Sequence, residues 1–221
     1  MSGCTNTGSA STAPVATPTP QVVYVTVTPT PTPVVKTVLF SDDLSQWRSE
    51  WDSETADDSG KTFYSGGSLH ILNNNKEFAK YHELNKNFND FVLDVDTKMV
   101  DGSINNWQGV VVRQNGLAGN HYDFDISADG YYEILKWENH NRYSLVGSTP
   151  PSSSYINTGI GATNHIRVEA NKNTLSFSVN GHPLKTVTDN TFNEGTVALK
   201  ADCIQSAFTE VAYNNLIITQ I

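Results

Sequence analysis

The sequence predicts an all-β domain, folded as a two-sheet antiparallel β-sandwich of the jelly-roll kind, that follows a disordered Thr/Pro-rich segment. From residue 36 onward, alternating stretches rich in Val, Ile, Tyr and Phe recur between clusters of Asn, Gly, Ser and Asp, and none keeps a helical period of 3.6 residues. About a dozen such stretches occur in about 185 residues, a spacing typical of two packed sheets.

The first 35 residues differ sharply in composition from the rest. They contain no Asp, Glu, Lys or Arg, and Thr-Pro repeats fill Thr17–Pro20 and Thr28–Pro33. Such a stretch has too few large apolar residues to build a core, and its prolines favour extended polyproline II structure. We therefore expect residues 1–35 to form a disordered tether and residues 36–221 to form the sandwich domain.

The charge of the chain restricts its partners. The formal net charge of -9 lies entirely on the domain, because the tether carries no charged side chain. This balance argues against nucleic acid or an anionic membrane surface and suits a neutral or cationic ligand. No apolar run reaches the roughly 18 residues of a membrane-spanning helix, so no transmembrane segment is expected.

The predicted strands follow the alternating stretches. Two turns support them: Asn171 to Asn173 separates two alternating runs, and Asn180-Gly181 is a dipeptide favoured in two-residue hairpin turns. Pro183 follows the second turn and is expected at its end or on an edge strand, because proline cannot donate to a central ladder. The predicted strands are 68–72, 77–83, 90–100, 107–114, 121–126, 131–137, 144–146, 165–170, 174–179, 184–187, 196–201 and 209–219.

The stretch HYDFDISADGYYEILKW, residues 121–137, predicts a hairpin with an acidic face. Alternation places Tyr122, Phe124 and Ile126 on the core face. A three-residue loop, Ala128 to Gly130, with glycine in the left-handed position, closes the hairpin. A four-residue loop is the alternative, but its register would set a core phenylalanine against a glutamate.

The favoured register brings two carboxylates together. Asp125 faces Glu133 across the strand pair, with Cβ atoms about 5 Å apart, while Asp123 faces Leu135. Like charges in this position need compensation by a raised pKa, a neighbouring cation, a metal or plain solvation at an exposed site. Each alternative stays open at this stage.

The neighbouring run GVVVRQ adds to this face. If Val110 and Val112 point into the core, the residues between them point outward, and Arg113 is then expected to reach the acids. Aromatic rings beside charged hydrogen-bonding groups suit a sugar, which has apolar C–H faces and a polar hydroxyl rim. The predicted ligand-binding residues are Trp107, Arg113, His121, Asp123, Asp125, Glu133 and Trp137.

Several segments in succession resemble the concanavalin A-like lectin and glucanase superfamily. They are LFSDDLSQW, WQGVVVRQN, YDFDISADGYYEILKW, NHIRVEANKNTLSFSVNGHPLKTVTDNTFNEGTVAL and VAYNNLIIT. The domain resembles family-16-glycosidase-like and laminin-G-like extracellular modules, including 3-keto-disaccharide hydrolase relatives. The resemblance implies a glycan as the partner and an extracellular carbohydrate-binding or adhesion role.

Two other functions remain open. The glucanases that the domain resembles carry their acids as Glu-x-Asp-x-Glu, whereas this sequence has His121-x-Asp123-x-Asp125. If the chain is a glycoside hydrolase, Asp125 and Glu133 are the expected carboxylate pair, with Asp123 beside them. The third alternative is a structural or protein-interaction surface module without glycan activity.

The N-terminus suggests a location. MSGC before a Thr/Ser/Pro-rich stretch resembles the mature start of a prokaryotic lipoprotein, which implies lipidation of Cys4 and an extracytoplasmic, membrane-anchored place at the cell surface. The alternative is a chance cysteine in a disordered segment. Cys203, within an apolar alternating run, is expected to be a buried thiol.

No cofactor is expected apart from a structural calcium ion. Asp42 and Asp43 resemble the acidic start of related sandwich modules, and oxygen ligands suit calcium. Turn capping by the same side chains is an equally good interpretation. Histidine spacings typical of zinc sites, phosphate-binding glycine loops and nucleophile elbows are missing from the sequence, which gives the corresponding enzyme classes little support.

Overall fold

A computed structural model describes residues 1–4, 8–9, 36–76, 78–116, 119–204 and 208–221. The chain divides into two units, Met1–Val34 and Val35–Ile221. Most of the predicted tether lies outside the described residues. The strands of the second unit are β1 (Val38–Asp42), β2 (Ala56–Asp57), β3 (Gly60–Ser65), β4 (Ser68–Asn73), β5 (Lys80–Phe88), β6 (Phe91–Gly102), β7 (Trp107–Gln114), β8 (His121–Ser127), β9 (Tyr132–Glu138), β10 (Asn141–Ser144), β11 (Thr163–Asn171), β12 (Thr174–Val179), β13 (His182–Thr188), β14 (Gly195–Asp202) and β15 (Thr209–Gln220).

The strands form two antiparallel sheets. The nine-stranded sheet has the order β13-β12-β11-β6-β15-β4-β3-β2, with β1 also paired to β15. The six-stranded sheet has the order β10-β9-β8-β7-β14-β5. Within the described ranges, no helix is long and apolar enough to cross a bilayer.

The core lies between the two sheets and follows the alternation of the sequence. Tyr122, Phe124 and Ile126 on β8 are fully buried in it, as predicted. The ring of Phe124 meets that of Phe177 on β12 of the other sheet, edge to face, with centroids 5.5 Å apart. Val110 on β7 is buried in the same cluster. The prediction of a two-sheet β-sandwich is confirmed.

Some strand predictions were incomplete. The sequence did not predict β1, β2 and β3, although β3 and β4 form a hairpin across Gly66-Gly67, both at positive φ. The predicted strand 144–146 is instead β10, at Asn141–Ser144, because Asn139 and His140 at positive φ already reverse the chain after β9.

The predicted second turn is confirmed. Asn180 and Gly181 have φ values of 50° and 79° and connect β12 to β13. Pro183 belongs to β13, the edge strand of the large sheet, and lies opposite Ser178 of β12. Proline has no N–H to donate, and on an edge strand this does not interrupt a central ladder.

The register of the β8–β9 hairpin is also confirmed. Asp125 pairs with Glu133, and His121 pairs with Trp137. Gly130 has a φ of 96°, and its N–H donates to the carbonyl of Ser127 over 3.1 Å, which closes the three-residue loop.

The two aspartates at the end of β1 cap turns. Asp42 Oδ1 accepts a hydrogen bond from the N–H of Leu44, and Asp43 Oδ1 accepts one from the N–H of Ser45, both over 2.9 Å. Asp42 Oδ2 accepts a third from Trp51 Nε1, also over 2.9 Å. These contacts fit the turn-capping interpretation, and the calcium ion stays a prediction. Cys203 is buried, as expected for a thiol in an apolar run.

Candidate functional site

A group of carboxylates lies on the face of the six-stranded sheet that points away from the core. Asp123 and Asp125 belong to β8 and Glu133 belongs to β9, on the opposite side of their strands from the core residues. Their relative exposures are 0%, 0% and 3%. The acidic face is therefore not solvated, and the repulsion predicted for Asp125 and Glu133 needs another form of compensation.

A buried lysine supplies part of this compensation. Lys200 of β14 places its Nζ 2.7 Å from Asp123 Oδ2 and 2.6 Å from Asp125 Oδ2, and donates to both. Asp202 Oδ2 lies 3.7 Å from the same Nζ. Of the alternatives that the sequence left open, a neighbouring cation is therefore present.

A glycine makes this bridge sterically feasible. Gly109 of β7 lies in register with Lys200 of β14 on one side and with Asp125 of β8 on the other. The lysine side chain therefore crosses β7 over a residue that has no side chain. A Cβ at Gly109 would lie 2.4 Å from Asp125 Oδ1 and 2.2 Å from the carbonyl oxygen of Phe124. Neither distance is tolerated between non-bonded atoms.

Burial and neighbouring charges separate the pKa values of the acids. Burial raises the pKa of Asp125 well above its ordinary value, and Asp123 and Glu133 raise it further against the opposing effect of Lys200. Burial also raises the pKa of Glu133, although Arg142 opposes it. For Asp123, burial acts in the same direction, but Lys200 and His121 outweigh it and hold its pKa below the ordinary value.

Two cations hold the site together. Burial alone would lower the pKa of Lys200, but Asp123, Asp125 and Asp202 together raise it well above its ordinary value. Arg142, from the edge strand β10, donates from Nη2 to Glu133 Oε2 over 2.6 Å. Because its side chain is 47% exposed, Arg142 is a cation that a ligand can reach.

Aromatic side chains cover the charged layer. Trp137 Nε1 donates to Asp123 Oδ2 over 3.0 Å, and its ring centroid lies 6.2 Å from that of His121. His121 Nε2 is in turn 3.0 Å from Asp123 Oδ1. Tyr81 of β5 approaches His121 edge to face, with centroids 6.2 Å apart. Trp107, 7% exposed, lies on the same face beside Asp202.

The expected position of Arg113 is wrong. A β-bulge makes Arg113 an extra residue between Val112 and Gln114, with φ at 54°. This conformation turns its side chain away from the acids and towards one end of the sandwich. There its guanidinium donates to the carbonyls of Lys172 over 2.6 Å and Phe192 over 3.1 Å.

The structure thus brings six of the seven predicted residues to one face: Trp107, His121, Asp123, Asp125, Glu133 and Trp137. Sequence reasoning missed Lys200, Arg142, Tyr81 and Gly109. Alternation in β14 does place Lys200 opposite the core residues of its strand, but sequence alone did not show that β14 follows β7 in the sheet.

In the described part of the chain, no group of three or more His, Cys, Asp or Glu side chains is arranged to hold a metal ion. The acids also lie beneath other side chains and not in an open cavity. A polar cavity of about 280 Å³ does open at one end of the six-stranded sheet, lined in part by Glu83, Gln114, Glu194 and Thr196.

The model of the 3-keto-alpha-glucoside-1,2-lyase-like domain family matches residues 36–219 of this chain. The chain belongs to this family. Membership in the 3-keto-alpha-glucoside-1,2-lyase-like family confirms the resemblance to 3-keto-disaccharide hydrolase relatives. A comparison with curated proteins finds no match.

Solved structures share the fold of this family member at low identity. Carbohydrate-binding module CBM66 from Bacillus subtilis is 16% identical with a TM-score of 0.55, over 77% of this chain and 96% of that chain. A β-glucanase from Bacillus licheniformis is 9% identical with a TM-score of 0.59, over 82% and 98%. A Bacillus subtilis protein of unknown function with a galectin-like fold is 12% identical with a TM-score of 0.59, over 83% and 96%. At these identities the likeness establishes the jelly-roll fold.

Proposed function

We propose that the domain is a carbohydrate-binding module and that its ligand is a neutral or cationic glycan held on the outer face of the six-stranded sheet. The observation that carries this proposal is the hydrogen bond from Trp137 Nε1 to Asp123 Oδ2, 3.0 Å long. This hydrogen bond fixes the indole ring at the border between the buried charges and solvent. Because the ring is already ordered, it loses little further rotational freedom when a ligand binds.

The groups around Trp137 match the chemistry of a sugar. An aromatic ring packs against the apolar C–H face of a pyranose, while charged groups at its edge bind hydroxyls. The half-exposed Arg142 lies in register with Trp137 on the next strand and offers guanidinium donors that Glu133 does not use. His121 lies on the other side of Trp137.

The comparisons support the same proposal. The matched family is named for a glucoside, and two of the structures that share the fold are named as a carbohydrate-binding module and a β-glucanase. The buried state of Asp123 and Asp125 favours binding over cleavage, because a catalytic acid must touch the glycosidic oxygen.

Retention of the full chain on immobilised polysaccharides tests this function. Trp137→Ala is expected to abolish retention on any glycan that holds the unmodified chain. Trp47→Ala is the matched control, because Trp47 is an exposed tryptophan that lies in the loop after β1, outside the strands of this face. Equal retention by both variants would contradict binding at this face. If the unmodified chain is retained on no glycan, the third alternative, a structural or protein-interaction module, becomes the better one.

Glycoside cleavage is the second candidate function, favoured by the opposed pair Asp125 and Glu133 with raised pKa values. A carboxyl kept protonated near neutral pH can act as a general acid, and a partner carboxylate can act as a nucleophile or base. The family description names a 1,2-elimination from a glucoside that carries a ketone at C3. That ketone acidifies the C2 proton, so elimination also requires a base.

Release of sugar in the same assay separates the two functions. Cleavage predicts that Asp125→Asn or Glu133→Gln abolishes release while retention persists. Binding predicts no release by the unmodified chain from glucosides or their 3-keto forms. It also predicts that Asp125→Asn weakens retention without abolishing it.

We further propose that the module is held at a prokaryotic cell surface through a lipid on Cys4 and the uncharged Thr/Pro-rich segment. This part rests on the sequence pattern, and Cys4 is exposed. Expression with a radiolabelled fatty acid in a bacterial host, with a signal peptide supplied, tests it: label is expected on the unmodified chain and not on Cys4→Ser. If neither the unmodified chain nor Cys4→Ser carries label, the proposed lipid anchor is wrong. The glycan assay does not depend on this result.

A further inference from the structure

The polar cavity at one end of the six-stranded sheet, about 280 Å³ in volume, lies where two strands become irregular around one residue. On β5, residues 85–87 all lie opposite Thr196 of β14. On β7, the other neighbour of β14, Arg113 is the extra residue of a bulge beside Thr196. Extra residues bend the strand that carries them and are common beside binding sites. Thr196 therefore lies at the base of an opening between its two neighbouring strands.

Three ordered side chains form one wall of this cavity. Thr196 Oγ1 donates to Glu83 Oε1 over 2.5 Å, and Gln114 Nε2 donates to Glu83 Oε2 over 3.1 Å. Because Leu84 belongs to the core, the side chain of the preceding Glu83 points to the outer face of the sheet. The two hydrogen bonds thus join β5, β14 and β7 on that outer face.

The cavity shares this face with Trp137. Asp123, Val111, Ala198 and Glu83 form one row across the sheet, in register from β8 to β5. Trp137 donates to Asp123 at one end of the row, and Glu83 lines the cavity at the other end. Three strand spacings separate the two ends, which is about 14 Å. This span is longer than a disaccharide.

Aromatic rings connect the two ends. The His121 ring centroid lies 6.2 Å from that of Trp137 and 6.2 Å from that of Tyr81. Tyr81 precedes Glu83 by two residues on β5, so both side chains belong to the outer face. Aromatic rings pack against the apolar faces of sugars. The surface between Trp137 and the cavity therefore suits consecutive units of a glycan chain.

We propose that the cavity is a second subsite of the glycan-binding face, and that it holds one uncharged sugar unit of a chain whose other units lie across the aromatic rings to Trp137. The ligand is then an oligosaccharide or polysaccharide chain and not a single sugar. This inference rests on the proposed function and deepens it.

The groups that line the cavity match an uncharged sugar. The carboxylates of Glu83 and Glu194 accept hydrogen bonds, the Gln114 amide does both, and the Thr196 hydroxyl does both, as sugar hydroxyls require. Glu194 is exposed, so a ligand can reach its carboxylate. In the described part of the lining, no Lys or Arg is present to pair with an acidic sugar.

Dependence of affinity on chain length tests the second subsite. The probes are oligosaccharides of one to six units, prepared by partial hydrolysis of a neutral polysaccharide that retains the full chain, and calorimetric titration measures their affinity. For the unmodified chain, affinity is expected to rise beyond the disaccharide. Equal affinity for the disaccharide and the longer oligosaccharides would overturn the proposal.

Glu194→Arg separates the cavity from the Trp137 site. Its guanidinium would enter the cavity and pair with Glu83, so affinity for the longest oligosaccharide is expected to fall about tenfold. Affinity for the shortest bound oligosaccharide, held at Trp137, is expected to stay unchanged. Asp58→Arg makes the same change of charge at an exposed residue between β2 and β3 and is expected to have no effect. Equal affinities of Glu194→Arg and Asp58→Arg for every oligosaccharide would overturn the second subsite.

Thiol protection reports occupation of the cavity directly. Asn87 lines the cavity and is exposed, so iodoacetamide is expected to label Asn87→Cys readily. A saturating amount of the longest oligosaccharide is expected to slow this labelling at least about fivefold, whereas the disaccharide leaves it unchanged. Lys185→Cys, on the exposed edge strand β13, is the control and should label at one rate throughout. Peptide mass spectrometry distinguishes these thiols from Cys4. Unprotected Asn87→Cys would show that the bound glycan does not enter the cavity.

These outcomes separate the subsite from the proposed function. If Trp137→Ala abolishes retention but neither chain length nor Glu194→Arg changes affinity, the binding face stands and the second subsite is wrong. If Glu194→Arg abolishes retention and Trp137→Ala does not, the glycan occupies the cavity alone, and both proposals are wrong as stated. If the unmodified chain binds no glycan, the proposed function fails and the subsite fails with it.

Discussion

Lys200 Nζ lies 2.6 Å from Asp125 Oδ2 although a whole strand, β7, separates their backbones. The contact exists because Gly109 contributes no side chain at the crossing point. One lysine thereby donates hydrogen bonds to two fully buried carboxylates of β8. The arrangement links the stability of the small sheet to the chemistry of its outer face.

Removal of this lysine is expected to destabilise the domain severely. Lys200→Met keeps the length of the side chain but leaves Asp123 and Asp125 buried without their cation. Breaking a buried ion pair from one side costs about 3 to 5 kcal/mol in the free energy of unfolding. Urea denaturation followed by tryptophan fluorescence measures this change.

Lys185→Met is the matched control for this substitution. Lys185 is exposed on the edge strand β13, so the control is expected to change the free energy of unfolding by less than about 0.5 kcal/mol. Adding Asp125→Asn to Lys200→Met is expected to restore part of the lost stability, because it removes one buried charge. Similar stabilities for Lys200→Met and Lys185→Met would show that the ion pairs contribute nothing.

Gly109→Ala is expected to destabilise the domain through a steric clash. The added Cβ would meet the Phe124 carbonyl oxygen at 2.2 Å, and backbone cannot move aside as a side chain does. A cost of about 3 kcal/mol is expected, at the upper end for overpacking. Gly66→Ala provides the comparison: it has open space but a φ of 58°, and is expected to cost about 1 kcal/mol. Thermal unfolding of both variants checks the order, and the reverse order would refute the clash.

The sequence predicted the elements whose evidence is local. The pairing of Asp125 with Glu133 depended on a single loop, Ala128 to Gly130, because loop length determines hairpin register. The burial of Phe124 followed from alternation along one strand. By contrast, β3 was missed because its short run lies between polar residues, although Gly66-Gly67 was a usable turn signal.

Features that depend on strand order or backbone irregularity were not predictable in the same way. Lys200 comes 75 residues after Asp125 in the chain, and only the sheet order brings them together. The position of Arg113 depends on a bulge that a strict period of two cannot show. Arg113, directly after Val110, Val111 and Val112, was correctly assigned to β7, but the direction of its side chain was not.

Arg113 is therefore expected to stabilise the domain without affecting glycan retention. Arg113→Met leaves the carbonyls of Lys172 and Phe192 without their buried donor. The expected cost is at least about 2 kcal/mol in the free energy of unfolding. Retention measured below the unfolding temperature should match the unmodified chain. If Arg113→Met instead loses as much retention as Trp137→Ala, Arg113 does contribute to glycan binding and this prediction is wrong.

His165, on the outer face of the large sheet, is expected to make stability depend on pH. Its Nδ1 lies 2.8 Å from Asp96 Oδ1 and its Nε2 lies 3.0 Å from Asp94 Oδ1, so both nitrogens donate when the ring is protonated. Burial alone would lower the pKa of His165, but the two carboxylates outweigh it and raise the pKa above the ordinary value. Arg167, 3.4 Å from Asp94, is the other charge that faces this pair.

The direction of the pH effect follows from the raised pKa of His165. The folded state binds the proton more tightly than the unfolded state, so the stabilisation is complete below about pH 6.5 and is lost as the pH rises through the folded-state pKa. The unmodified chain should therefore exceed His165→Gln in free energy of unfolding by more at about pH 5.5 than at about pH 9. Urea denaturation of both chains at the two pH values measures the difference. A difference that is equal at both, or larger at the higher pH, would show that the carboxylates do not hold a protonated His165.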